Sequence, residues 1–231
     1  MASMRRPAAN FASLLAAMLF AFALDCAAEP FAVQVGDVRL GLDAPPGFSD
    51  TGFTGSPRLQ ELAESLTSAS NRILLFALTD ADLRRFMTGD QLEAKRYMVA
   101  VTPRPMEYQR ITPPIFSAFV LDSLQGLGKP PAADADFRKI LDARPGKLTL
   151  LAELRRDADV VSVLQGVRIP AKEARFNEKP QYGLTTTTLM LVRGKALNLG
   201  VYGTFEDDGD LDWIRITTTR WVEALQRLNS R

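Results

Sequence analysis

Histidine is absent from this chain and cysteine occurs once, at Cys26. The first absence removes histidine-assisted serine and cysteine nucleophiles and histidine-ligated zinc. A lone thiol removes Cys-rich metal sites and internal disulfides, so packing alone must hold the fold. No Ser-x-x-Lys pairing follows residue 28, and no phosphate-cradling loop occurs. The nearest approach, "GLGK" at 126–129, runs into Pro130 and Pro131 and reads as a helix ending in a turn. Long hydrophobic runs are scarce too. "IFSAFVL" (115–121) is far too short to span a bilayer, and the fourteen residues of 11–24 fall short of the ~20 a spanning helix needs. What survives is a short list of chemistries: paired carboxylates for acid/base work, and oxygen ligands for calcium or magnesium.

What is present begins with an export signal. Arg5 and Arg6 precede the apolar "FASLLAAMLFAFAL" and small residues stand at 26 and 28, the pattern of a secretory signal peptide over 1–28 cleaved after Ala28. Lipidation at Cys26 is the neighbouring alternative, with Asp25 standing where the processing enzyme wants a small residue. The expected location is periplasmic or secreted, with no stable membrane insertion once the signal is gone. The 28 basic and 27 acidic residues lose two and one on cleavage, leaving 26 of each. A balanced charge gives no long-range pull toward phosphate backbones, so nucleic acid is not an expected partner.

Residues 29–231 read as one domain of alternating helices and strands. "FAVQVGDVRLGLDAP" (31–45) predicts two short strands about Gly36-Asp37, followed by a Gly/Pro/Ser loop. Ser56 and Pro57 open a helix with Leu59, Leu62, Ala63 and Leu66 on one face. "RILLFALT" (72–79) predicts a strand buried on both sides, and Thr79 with Asp82 caps a helix whose Leu83, Phe86 and Met87 face inward. Further strands are expected at 94–103, 147–156 and 160–169, and further helices from Thr112-Pro113 and from a cap at Asp134. The polar stretch 171–182 predicts an exposed connection. In "TTTTLMLVRGKALNLGVYGTF" (185–205), Gly194-Lys195 predicts a two-residue hairpin turn pairing Val192 with Leu197 and Met190 with Leu199. Apolar residues on both sides of that hairpin require cover on both faces of the sheet. The expected class is therefore α+β, a largely antiparallel sheet with helices on both faces.

Five carboxylates crowd "TFEDDGDLDW": Glu206, Asp207, Asp208, Asp210 and Asp212. Beyond them Leu211, Ile214, Thr218, Trp221, Val222, Leu225 and Leu228 recur at helical spacing, so the acids read as the start of a closing helix. Asp208 or Asp210 would accept from the unpaired first-turn amides, and Asp212 would meet the positive end of the helix dipole. A calcium loop fails in detail, because its sixth and twelfth positions would be Trp213 and Thr219. No metal site, no catalytic residue and no cofactor is expected.

The closing "LMLVRGKALNLGVY", its acidic turn and "DLDWIRITTTRWVEALQRLN" resemble the C-terminal part of a group of uncharacterised exported bacterial proteins. More distantly, with "VRLGLDAPPGF" near the start, they are similar to the α/β/α sandwich of the photosystem PsbP subunit and bacterial DcrB proteins. That resemblance implies a binding or assembly factor. The expected function is an exported, non-enzymatic protein that binds a protein or small ligand through loops at the sheet ends. The candidates there are Tyr108, Arg110, Phe176 and Tyr182, aromatic and cationic residues that could equally seat a loop on the core. The alternative is a carboxylate-dependent hydrolase, or hydroxyl chemistry at "TTTT" (185–188), although threonine also simply favours strands.

Overall fold

The computed structural model describes residues 30–132, 135–170 and 180–230. The sequence-predicted signal peptide, Cys26, Asp134 and Phe176 lie outside them. Two strands, β1 (Phe31–Val35) and β2 (Val38–Leu42), form a separate hairpin. The remaining strands are β3 (Phe48–Asp50), β4 (Asn71–Thr79), β5 (Tyr97–Pro103), β6 (Thr149–Arg156), β7 (Val160–Ile169), β8 (Gln181–Val192) and β9 (Lys195–Thr204). They build one seven-stranded sheet in the order β3-β4-β5-β9-β8-β7-β6, antiparallel throughout. The helices are α1 (Pro57–Ser65), α2 (Asp80–Met87), α3 (Pro113–Leu124), α4 (Phe137–Asp142) and α5 (Asp208–Asn229). The structure is thus α+β, with a largely antiparallel sheet and helices on both faces.

Strand alternation divides the core in two. One face carries Ala77, Met98, Leu164, Leu184, Met190, Leu197, Leu199 and Val201, buried beneath the β1–β2 hairpin, α4 and the stripe Leu211, Ile214, Trp221, Val222 and Leu225 of α5. The hairpin belongs to this layer because α5 holds it. Asn229 donates to the Gly41 carbonyl and accepts from the Gly41 amide, both at 2.9 Å, and the Trp221 indole donates to the Asp43 carbonyl at 2.7 Å. Hydroxyls that would be orphaned here pair with one another, Thr186 with Thr218 and Ser162 with Thr188, each at 2.7 Å.

Among the described residues, helices cover the opposite face in two separate places. Over β4 and β5, α1 and α2 bury Phe76, Leu78, Val99 and Val101. Near the β8–β9 turn, α3 buries Val161, Leu189 and Ala196.

Several sequence expectations change. The 46–57 loop hides β3, whose Ser49 and Asp50 pair with β4. Ser56 precedes α1 without a side-chain capping bond. Met87 is 67 % exposed, since α2 ends one residue after Phe86 has filled the space against β5. Asp136, not Asp134, caps α4. The β8–β9 turn is Arg193-Gly194, with φ of 50° and 78°. Positive φ at both turn residues is the mirror-image turn that matches strand twist, and it places Lys195 in β9 opposite Val192. Met190 therefore pairs with Leu197, two residues from the expected Leu199. A two-residue slip preserves which face each side chain occupies, so the predicted burial survives the wrong register.

Candidate functional site

Between the areas covered by α2 and α3, no described helix covers the second face of the sheet. Its cross-strand row runs Tyr97 (β5), Tyr202 (β9), Thr185 (β8) and Gln165 (β7), each directly opposite the next. Thr187 and Val167 flank that row on the same face. Together they floor a cleft of about 1430 Å³, walled by the α2–β5 connection (90–95) on one side and by Leu148 and Ile169 on the other. Four strands contribute to the floor, so its geometry is fixed by the backbone ladder.

The arrangement of the two tyrosines depends on Gly200. A Cβ there would stand 2.6 Å from Cε2 of Tyr202, so only glycine leaves room for the ring beside β9. Tyr97 stacks on Tyr202 with centroids 4.4 Å apart and planes 8° from parallel. Because β9 lies between β5 and β8, the ring face turned away from Tyr97 looks across Thr185 and Thr187. Burial pushes both phenols above the ordinary tyrosine range, so they remain neutral hydrogen-bonding hydroxyls. Thr187 donates to the buried Gln165 carbonyl oxygen at 3.0 Å, which orients that amide. All six floor residues are uncharged.

Among the described lining residues, charge stands on the rim. Arg85 bonds Glu93, and Lys95 approaches the same carboxylate at 3.8 Å. Arg138 donates to the Glu206 carbonyl and lies over the Phe205 ring at 5.2 Å. With the base-capable Glu93 engaged by Arg85 and no carboxylate on the floor, the arrangement suits binding by neutral hydrogen bonds and stacking.

The sequence candidates separate. Tyr182 reaches the cleft margin, but as a buried member of β8 and not of an exposed connection. The strand begins at Gln181, which draws the ring edge-on to Phe205 at 6.2 Å, and its hydroxyl donates to Asp142 at 2.8 Å. Tyr108 (80 % exposed) and Arg110 lie at the far end of β8, Arg110 running beside Gly194. The twelve residues of β8 span about 40 Å, so these two cannot share a small ligand with Tyr182.

Beneath Tyr108 lies a residue the sequence reading assigned to the turn. Lys195 is 1 % exposed, and its Nζ donates to the Glu107 and Gln109 carbonyls at 3.0 and 3.1 Å and meets Asp37 at 2.8 Å. Arg72 completes the junction, bonding Glu107 and the Gln34 carbonyl. One ammonium thus fastens the β1–β2 turn, the 107–109 turn and the β8–β9 hairpin.

The acidic cluster is a helix start whose cap is Asp207 in place of Asp208. Asp207 accepts from the Gly209 amide at 2.8 Å, and Asp210 reaches back to the Glu206 and Asp207 amides at 2.8 and 3.3 Å, closing a capping box. The chain turns one residue earlier than expected, leaving Asp208 and Asp212 exposed in the opening turns. Arg96 bonds Asp210 at 2.8 Å while its guanidinium lies 4.1 Å from the Trp213 centroid. Burial pushes the Asp210 carboxyl up, but the two amides and Arg96 together hold it below the usual aspartate value. Among the described residues no group of three acidic side chains is gathered for a metal, and no helix is long and apolar enough to cross a membrane.

No protein-family model and no curated protein matches the chain. Among solved structures, it is similar to the Ran-binding protein Mog1p of Saccharomyces cerevisiae, at 9% identity and a TM-score of 0.38, covering 88% of this chain and 94% of that one.

Proposed function

We propose that this chain is an exported, non-enzymatic binding protein of the bacterial envelope that holds a small ligand against the middle of its sheet. One observation carries the reading: a preformed, aromatic and hydroxyl-lined cleft occupies the stretch of sheet that neither α2 nor α3 covers. The neutral floor supports binding over catalysis, because its phenols, hydroxyls and amide donate and accept without titrating near neutrality. Export rests on the signal pattern of residues 1–28. The opening hairpin with its proline turn, and the closing hairpin followed by α5, support a PsbP/DcrB-like version of the sandwich.

Two measurements test this. N-terminal sequencing of protein recovered from the envelope fraction should begin at Glu29. Addition of a small-molecule envelope extract to ¹⁵N-labelled protein should shift the amide signals of β8 and β9 around Thr185, Thr187 and Tyr202. Shifts confined to the Tyr108–Arg110 end would place the site elsewhere.

A further inference from the structure

We propose that the occupant of this cleft is a neutral carbohydrate, stacked on the outer face of Tyr202 and hydrogen-bonded by Thr185, Thr187 and Gln165. The assignment rests on the reading of the cleft as a binding site and adds the chemical class of its ligand. Three features of the floor select that class.

The first is the platform. Tyr97 covers one side of the Tyr202 ring and Gly200 makes room for its edge, so the ring is held rigidly with its other side toward β8. A ring already immobilised loses little rotamer entropy on binding. Its electron-rich face attracts the positively polarised C–H groups of a sugar ring.

The second is the polar set. Two hydroxyls and one amide, all on the same sheet face, both donate and accept, which matches the dual character of sugar hydroxyls. A purely apolar ligand would bury the Thr185 and Thr187 hydroxyls without replacing their bonds to water.

The third is charge. The floor has no charged side chain, and on the rim Arg85 and Lys95 share Glu93 while Arg138 rests against the Phe205 ring and the Glu206 carbonyl. A phosphate or carboxylate seated on the floor itself would lose hydration with no charged side chain beneath it. An extended peptide, for its part, needs an unpaired strand edge to match its backbone, whereas the floor strands β5, β9, β8 and β7 are each paired on both sides.

The test is an amide-shift titration of the purified protein with neutral oligomers of glucose, mannose and N-acetylglucosamine. Acidic oligogalacturonate, palmitate and an uncharged tripeptide run beside them. At least one neutral sugar should give saturable shifts at Thr185, Thr187 and Tyr202. Tyr202→Ala should weaken that binding at least 10-fold, whereas Tyr202→Phe, which keeps the ring, should stay within about 3-fold of the parent. Thr185→Val should also weaken it while leaving Tm within about 2 °C, as befits a half-buried surface site. Equal losses for Tyr202→Phe and Tyr202→Ala would overturn the stacking platform. Cleft shifts produced only by the acid, the lipid or the peptide would overturn the carbohydrate assignment and leave the binding site standing. If no probe and no envelope extract moves the cleft signals, both readings fall.

Discussion

One face of the seven-stranded sheet is sealed along its length by the β1–β2 hairpin, α4 and α5, while the described helices cover the other at two places and leave it open between them. The composition of β8 shows how this division is written. Thr186 and Thr188 face the sealed side and spend their hydroxyls on Thr218 and Ser162; Thr185 and Thr187 face the open side, half exposed. One run of four threonines thus serves two environments, with alternation deciding which residue does which. The sealed face supplies cohesion, and the open face gives up burial in exchange for a concave, wet surface.

The comparison can be broken most severely at Trp221, which is 1 % exposed at the centre of the sealed layer. Trp221→Ala should cost about 3–5 kcal/mol in urea unfolding, and the lost indole bond to Asp43 should loosen the N-terminal hairpin in hydrogen exchange. Lys195→Met comes next. It keeps much of the volume but strands the Glu107 and Gln109 carbonyls, for an expected loss of about 2 kcal/mol. Asp37→Asn should cost far less, because that partner is exposed. On the open face, Gly200→Ala should displace the Tyr202 ring, costing about 1–2 kcal/mol and changing the near-ultraviolet tyrosine dichroism.

The smallest effect should come from acid. The Asp210 carboxyl titrates below its ordinary 3.8, so its charged form favours the fold. Its contribution is complete above that value and is lost as pH falls through the lower, folded value. Asp210→Asn should therefore flatten the decline of Tm below about pH 4 while lowering Tm slightly at neutrality, when both proteins are scanned in parallel.

Elements with strong periodicity were legible in the sequence. The apolar run of β4, the pairing of β1 with β2 and the stripe of α5 each announce burial through spacing alone. The β8–β9 hairpin kept its faces despite a misplaced turn, because arginine at positive φ carries no sequence signal comparable to glycine's. β3 was hidden by turn-rich composition, and Lys195 by its charge, since nothing in the residues around it foretells three acceptors arriving from distant segments. The cleft was harder still, being defined by where helices are missing and floored from four separate strands. Its one faint mark was Gly200 in the interior of a strand, a placement that signals close approach by another group.

The N-terminal hairpin has one consequence for the history of each molecule. A two-stranded ribbon is marginal by itself, and this one is secured by Asn229, Trp221 and Lys195, all from the final 37 positions. β1 and β2 accordingly gain these three anchors only once residues 195–229 have been synthesised, so the ribbon is set late in the assembly of the tertiary structure.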